Sequence, residues 1–387
     1  MKKLAIITTH PIQYYAPIFR LLQQRNNISI KVFYTLGEPT APKHDPGFGK
    51  NISWDIPLLD GYDFEWLVNI SPAPGSHYFK GIVTPGAIEQ IKKYRPDALL
   101  VFGWAYQSHL KIIRHFSGKL PIYFRGDSTL LNETGGLKKT LRYLFLKWVY
   151  NHITHAFYVG ENNKAYYKAF GLRERQLSFA PHAIDNERFE LNRGEDAEEL
   201  RASLNINKQD ILVLYAGKFE PVKNVELLLT AFITLNRPDV HLLLTGNGPD
   251  EKKLKELAAN SDAAVNIHFM DFINQSSMPV LYQAADLFCL PSKSETWGLS
   301  INEAMACGTA ILASDNVGCV ADLVRIGENG AVFRSGDENN LVRNLQQLTK
   351  DRAQLVRLGQ RSELIIKDWS FEQIALAIEN KLLNEAT

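Results

Sequence analysis

Two glutamates, Glu295 and Glu303, stand eight residues apart in the stretch Ser294-Glu295-Thr296-Trp297-Gly298-Leu299-Ser300-Ile301-Asn302-Glu303-Ala304-Met305-Ala306-Cys307-Gly308. The right half of this stretch is helix-forming and stops at Gly308, a natural C-terminal cap. Gly298 falls where that helix should begin. A glycine there lets the backbone approach a bound anion, and the first helical N–H groups point at it. Thr296, Trp297 and Leu299 flank that approach. Two carboxylates beside a phosphate would repel it unless they face hydroxyl groups instead. One can accept from ribose hydroxyls and the other from hexose hydroxyls, at roughly 1.5–3 kcal/mol for each charge-assisted bond. The pattern therefore suits a sugar nucleotide.

A second basic element agrees. The apolar run Ile211–Gly217 leads into Gly217-Lys218-Phe219-Glu220-Pro221-Val222-Lys223-Asn224. Lys218 and Lys223 flank a turn at a strand's carboxyl end, where they can clamp a diphosphate as point charges. A third is Leu243-Leu244-Thr245-Gly246-Asn247-Gly248-Pro249, a strand followed by a glycine-rich turn.

Taken whole, the Glu295–Glu303 string resembles the Glu-x7-Glu signature of retaining glycosyltransferases of family 4, which have the GT-B fold. The Lys218–Lys223 segment is similar to the family's Gly-Arg-x4-Lys-[Gly/Asn] element, whose basic residues bind the donor diphosphate. Lys218 stands in place of the arginine, which keeps the charge and loses the bidentate fork. The segment around Gly246 resembles the family's Gly-x-Gly-Pro turn beside the nucleotide. Met270-Asp271-Phe272 matches the place where the family's backbone reads the base. The resemblance implies a nucleoside-diphosphate sugar donor, UDP in preference to GDP, and neither cofactor nor metal. Glu303 would hold ribose, Glu295 the donor-sugar hydroxyls, and Lys218 and Lys223 the diphosphate, with Gly217, Gly246, Asp271, Phe272, Thr296, Trp297, Gly298 and Leu299 around it. The acceptor would be a glycan or lipid-linked hydroxyl, as in cell-surface polysaccharide or glycolipid synthesis. A sugar-nucleotide epimerase, a phosphorylase and a non-catalytic nucleotide-sugar- or glycan-binding protein remain as alternatives.

The resemblance is strongest over about 211–335. Where relatives open with a glycine-rich loop, this chain has Thr9-His10-Pro11-Ile12-Gln13-Tyr14-Tyr15-Ala16-Pro17. Gly-x-Gly-x-x-Gly is absent, which argues against a dinucleotide oxidoreductase. His10 would act at the site and Gln13 on its acceptor side, both at a strand's carboxyl end. Relatives carry a histidine that contacts the reacting sugar, and the matching place here reads Phe124-Arg125-Gly126-Asp127-Ser128. Arg125 can answer leaving-group charge and Asp127 can orient a hydroxyl; a structural Arg125–Asp127 turn is the other reading. Trp104 and His109 would line the acceptor side. Pro181-His182-Ala183-Ile184-Asp185 resembles the family's hinge with two departures, and is taken as interdomain structure.

The elements needed to position these groups are visible as an alternation. Short β-rich runs fall at 4–9, 28–34, 98–104, 121–126 and 155–160. They resume at 211–217, 241–246, 266–271, 286–292, 310–314 and 331–334. Several are continuous apolar runs, as strands covered on both faces require. Helical stretches such as Ala87–Tyr94, Val225–Leu235, Glu251–Ala259 and Leu341–Leu358 lie between them. Such alternation means α/β architecture with parallel sheets and right-handed crossovers. Two doubly wound Rossmann-like domains follow, 1–185 and 186–368, facing each other across a cleft with ligands at the strand carboxyl ends. The polar segment Asp185–Asp210 is the expected connection. Residues 369–387 form a C-terminal helix that either crosses back to the first domain or caps the second.

Composition sets the outer bounds. A chain of 387 residues with 45% hydrophobic and 22% charged residues has apolar material for two cores, which excludes disorder as its main state. Three cysteines, Cys289, Cys307 and Cys319, make no disulfide framework and have no metal-ligand spacing, so a reducing, cytoplasmic setting is expected. No apolar run reaches the ~18 residues of a membrane span. Net charge is +1, yet residues 1–190 carry 24 Lys+Arg against 15 Asp+Glu, and the remainder carries 19 against 27. The basic half contains LKKTLRYLFLKWVY (137–150), where Leu137, Leu141, Leu144, Phe145, Trp148 and Val149 share a helical face beside Lys138, Lys139, Arg142 and Lys147. Such a helix suits either a core or an anionic membrane surface. The expected partners are thus a nucleotide-sugar donor, a glycan or lipid-linked acceptor and an anionic membrane face at 137–150, not nucleic acid.

Overall fold

The computed structural model describes residues 1–38, 43–45, 50–52, 54–131 and 137–384, with backbone alone at 43–45, 50–52 and 137–139. The chain forms two compact units. One comprises Met1–Ala41, Pro57–His182 and Phe371–Thr387, the other Pro42–Ile56 and Ala183–Ser370.

The first unit holds strands β1 (Lys3–Thr8), β2 (Ser29–Tyr34), β5 (Phe64–Trp66), β6 (Ala98–Phe102), β7 (Ile122–Arg125), β8 (His155–Tyr158) and β9 (Leu177–Phe179). They make a parallel sheet in the order β5-β2-β1-β6-β7-β8-β9. Leu4–Ile7, Leu99–Val101 and Ile122–Phe124 are buried, as the continuous apolar runs require for a sheet covered on both faces. Two further strands, β3 (Lys43–Asp45) and β4 (Lys50–Ile52), pair as an antiparallel ribbon in the segment that belongs to the second unit. The expected first domain therefore gives up 42–56, a grouping set by long-range contact and invisible in local periodicity.

In the second unit, β10 (Ile211–Ala216), β11 (Val240–Thr245), β12 (Ile267–Met270), β13 (Leu287–Leu290), β14 (Ala310–Ser314) and β15 (Gly330–Phe333) form a parallel sheet. Its order is β12-β11-β10-β13-β14-β15. The sequence is thus folded as two doubly wound parallel-sheet units, as the alternation predicts.

Three expectations change. The stretch Asp185–Asp210 is not a plain connection: it forms helices Asn186–Glu190 and Gly194–Ser203 within the second unit. Arg201 anchors it, donating to Asp286 at 3.1 Å and to the Ala284 and Asp210 carbonyls at 2.8 and 2.6 Å. The helix expected at Leu341–Leu358 is two helices, Glu338–Leu348 and Arg352–Ile366, because the Asp351 carboxylate accepts from Ala353 N and starts a new N-terminus. In helix Leu137–Tyr150 the core side is Leu146, Val149 and Tyr150, so Val149 leaves the predicted face, while Leu141, Leu144, Phe145 and Trp148 stay exposed. The side chains of Leu137, Lys138 and Lys139 lie outside the described residues.

The C-terminal helix Phe371–Leu383 belongs to the first unit and packs against the helix Ala16–Arg25. Arg25 donates through Nε and Nη2 to the buried Glu379 carboxylate at 3.0–3.1 Å and also pairs with Glu372. A charged fork at a largely buried carboxylate fixes the helix in one register.

Candidate functional site

The second unit's loops at the carboxyl ends of β10, β11 and β12 continue the sheet ladder beyond the strands. Gly217 N donates to Thr245 O, Phe219 N to Asn247 O, and Gly246 N to Met270 O, all at 2.9–3.0 Å. This close stacking explains Gly246: its φ is +136°, and an added Cβ would sit 1.9 Å from Gly217 O. The turn after β10 carries Lys218, whose carbonyl accepts from the Tyr215 hydroxyl at 2.7 Å, and then Lys223. Val222 O accepts from Lys293 N at 2.8 Å, which ties this basic turn to the loop after β13.

That loop delivers Glu295. Its backbone pairs with the segment after β14: Glu295 N donates to Asn316 O, Gly318 N to Glu295 O, and Cys319 N to Trp297 O. The Glu295 carboxylate forms an ion pair with the Lys223 ammonium, both partly buried. Two motifs 72 residues apart thus meet at the entrance of the helix Leu299–Ala306. Gly298 precedes that helix with φ +101°. Trp297 is buried and donates from Nε1 to Asn302 Oδ1 at 2.9 Å. Its indole is thereby part of the buried packing between this loop and the helix that follows. Glu303 sits one turn into the helix, buried, with Oε2 accepting from the Tyr282 hydroxyl at 2.8 Å. Thr296 is exposed and Leu299 half-buried on the same loop.

Beside it, Asn247 organises the turn after β12. Its Oδ1 accepts from Phe272 N at 2.9 Å, and its Nδ2 donates to Asp271 Oδ1 and Glu251 Oε2 at 3.0 Å each. Asn247 and Tyr282 escaped the sequence reading. Asn247 is the variable position of a glycine-x-glycine turn, and Tyr282 lies 21 residues from its partner in a helix with no motif.

In the first unit, the carboxyl end of β7 gathers several expected residues and alters their roles. Arg125 is fully buried and donates from Nη1 to Ala180 O at 2.6 Å and from Nη2 to Pro181 O at 2.7 Å. Burial pushes its guanidinium below the ordinary arginine value, with Tyr15, Tyr167 and Asp127 opposing that shift. Both forks are spent on backbone carbonyls, so Arg125 locks the chain at 180–181 and is not a group held out to a leaving group. Asp127 Oδ2 lies 3.8 Å from Nε2 of His182, a buried imidazole whose ring lies parallel to Tyr15 at 6.3 Å. Burial holds His182 below its usual value, opposed by Asp127. His182 is therefore more than hinge structure: it brings a histidine to Asp127 at a strand end. His109 is corrected outright. It is fully buried, bonded to Thr35 Oγ1 and Gly103 O at 2.8 Å each, and burial lowers its pKa to about 4. It is a neutral core histidine and not an acceptor-side residue. Trp104 is half-buried with its ring against Phe145 at 5.5 Å. His10 and Gln13 are half-buried after β1, with His10 Nδ1 bonded to Thr9 Oγ1 at 2.9 Å.

Among the described residues, no three His, Cys, Asp or Glu side chains are grouped to hold a metal ion. No helix among them is long and apolar enough to cross a membrane. What the second unit brings together is the Lys223–Glu295 ion pair beside the entrance of helix Leu299–Ala306 and, within that helix, the Glu303 carboxylate bonded to Tyr282.

Comparison with known proteins agrees with this geometry. Residues 196–364, all within the second unit, match the family described as Glycosyl transferases group 1. The chain is similar to a D-inositol 3-phosphate glycosyltransferase of Rhodococcus opacus, 30% identical over 190 residues that cover 46% of this chain and 42% of that protein. It is also similar to an N-acetyl-alpha-D-glucosaminyl L-malate synthase of Bacillus anthracis, 27% identical over 186 residues and 48% of each chain. The chain spans about half the length of the curated relatives it matches. Among solved structures, Anabaena HepE in complex with UDP and glucose superposes with a TM-score of 0.73 at 17% identity, covering 99% of this chain and 100% of that one. The fold is therefore that of GT-B glycosyltransferases: two parallel-sheet Rossmann-like domains.

Proposed function

We propose that the chain is a metal-independent, anomer-retaining hexosyltransferase that moves a sugar from a nucleoside-diphosphate sugar, UDP favoured over GDP, to a hydroxyl of a glycan or lipid-linked acceptor. The observation that carries this reading is the Lys223–Glu295 pair at the entrance of helix Leu299–Ala306. Lys223 and Lys218 take the diphosphate, the backbone at Gly298–Leu299 donates to its oxygens, Glu295 holds donor-sugar hydroxyls and Glu303 holds ribose. Departure of the nucleoside diphosphate builds negative charge, and cations already fixed beside it lower the barrier without reorganisation. In the retaining step, the acceptor oxygen bonds to the anomeric carbon on the face from which the leaving oxygen departs. The acceptor proton passes to a diphosphate oxygen. In the first unit, Asp127 and His10 are the candidate groups toward the transferred sugar, and Gln13 and Trp104 those toward the acceptor.

Calorimetric titration of UDP and GDP in EDTA tests the donor site. One nucleoside diphosphate should bind, and Glu303→Ala should weaken it ~10-fold or more, the loss of one charge-assisted bond. Tyr282→Phe, which removes the hydroxyl that orients Glu303, should weaken it less. Absence of any nucleoside diphosphate binding would sink the proposal.

A membrane-proximal acceptor is part of the same reading. On helix Leu137–Tyr150, Leu141 and Leu144 are 62% and 58% exposed, beside exposed Phe145 and Trp148. Arg114 lies over the Trp148 ring at 5.6 Å and Lys147 over Tyr143 at 5.8 Å. Exposed leucines and tryptophan rimmed by basic groups suit the headgroup boundary of an anionic cytoplasmic leaflet. The protein should co-sediment with anionic vesicles, and Leu144→Asp should abolish most of that binding; equal recovery of both proteins would refute the membrane contact.

A further inference from the structure

Helix Glu338–Leu348 turns its apolar side, Leu341, Val342, Leu345 and Leu348, into the second unit, where it packs against helix Val225–Leu235. Its outer side carries Arg343, Gln346 and Gln347 at the i, i+3 and i+4 positions of one face, and Lys350 follows just past its end. Together with Leu235 and Arg237 at the end of the neighbouring helix, these four line a cavity of about 490 Å³. That lies inside the roughly 300–1,000 Å³ of small-molecule sites. The cavity sits where helix Val225–Leu235 ends, shortly before β11 begins at Val240. Lys223 precedes the other end of that helix, ~16 Å away along its axis. The cavity is therefore separate from the proposed donor clamp.

Its charge is unusual for this unit. Residues 191–387 are acidic overall, and cations there are commonly matched by carboxylates, as at Arg201–Asp286, Lys253–Glu226 and Lys255–Glu251. Among the described residues, Arg343 and Lys350 have neither an ion pair nor a side-chain hydrogen bond. Arg237 donates from Nε to Asp239 Oδ1 at 2.7 Å and from Nη2 to Oδ2, which fixes the guanidinium and leaves Nη1 unused. Two helix C-termini meet here, each equivalent to about half a negative charge. Three cations against Asp239 and those termini still leave the cavity positive. Arg343 and Lys350 are seven residues apart, roughly two turns of helix, so they suit two anionic groups in preference to one. No aromatic ring lines the cavity, so a nucleobase has nothing to stack on, and its one apolar residue, Leu235, is buried. The two glutamine amides can donate to and accept from hydroxyl groups.

We propose that this cavity binds a soluble sugar bisphosphate, with Arg343 and Lys350 each taking one phosphate, Arg237 Nη1 supporting them, and Gln346 and Gln347 meeting the hydroxyls. The site stands on its own residues and does not depend on the donor-site reading.

Calorimetric titration with fructose 1,6-bisphosphate, in saturating UDP and at physiological ionic strength, tests it. Wild type should bind one equivalent. The double variant Arg343→Gln, Lys350→Gln should bind ~10-fold more weakly, through the loss of charge-assisted contacts. In wild type the bisphosphate should also shield Lys350 from acetylation, read by mass spectrometry. The control double variant Lys208→Gln, Lys252→Gln removes the same charge from exposed positions elsewhere in the unit and should bind within twofold of wild type. No binding by wild type, equal losses in the two double variants, or inorganic phosphate binding as tightly as the bisphosphate would overturn the proposal. UDP affinity should be the same in all three proteins; a parallel fall in UDP affinity would overturn the separation of this cavity from the donor clamp.

Discussion

Glu295→Gln is expected to tighten UDP binding several-fold while slowing sugar transfer ~100-fold or more. The two effects have opposite signs because Glu295 has two partners. Its carboxylate pairs with the Lys223 ammonium, and both side chains are partly shielded from water. In the proposed donor site a diphosphate needs the same ammonium. It must therefore compete with a carboxylate that is already in place and that repels the incoming phosphates. Glutamine keeps the size and the hydrogen-bonding reach but removes the charge, so Lys223 is released to the diphosphate and the repulsion is gone. With a sugar attached, the balance reverses, since the hydroxyls lose their charged acceptor in the transition state. Lys223→Ala should weaken UDP ~10-fold and slow transfer as well, because one of the two lysines proposed to answer the leaving group is gone. The double variant should bind UDP much as Lys223→Ala does, since the benefit of removing the carboxylate passes mainly through Lys223. Titration of the four proteins with UDP, together with initial rates of transfer, checks this. Weaker UDP binding by Glu295→Gln would show that the pair does not hold Lys223 back from the diphosphate.

The fold of the second half of the chain was largely legible because its motifs are local. Each motif is a strand, a glycine turn and a helix start within about a dozen residues, and backbone approach dictates glycine at Gly246. Helices Ala87–Tyr94, Val225–Leu235 and Glu251–Ala259 fall on their predicted bounds, since periodicity and end residues agree there. What sequence could not show is which distant side chains the topology brings together. His109 looks like a strand-end histidine until Thr35, 74 residues away, bonds its ring. Arg125 meets carbonyls 55 and 56 residues on, and Asp55 meets Ser276 across 221 residues. Helix Leu137–Tyr150 is apolar over more than one face, so spacing alone did not choose Leu146, Val149 and Tyr150 as its core side.

Gly318→Ala should cost ~3 kcal/mol or more of stability and, in whatever folded fraction remains, loosen the nucleotide site. Gly318 lies outside any motif, and its φ is not in the left-handed region, so conformational freedom is not why glycine stands there. The reason is steric. A Cβ at 318 would lie 1.9 Å from Thr296 O and 2.7 Å from Thr296 C, both backbone atoms with no rotamer to yield. The contact arises because Gly318 N donates to Glu295 O, which draws the two segments together. Relief requires the 295–297 loop to move away, and with it Glu295, the Lys223 pair and the helix entrance at Gly298. Gly336→Ala is the matched control. Its φ is +78° but nothing lies within 4 Å of the added methyl, so it pays only the ~1 kcal/mol of a left-handed alanine and leaves the site untouched. Thermal unfolding and UDP titration of both variants separate the two effects. Were Gly318→Ala as mild as Gly336→Ala, the loop after β14 would have to be soft, and the fixed position of Glu295 on which the donor clamp depends would need another support.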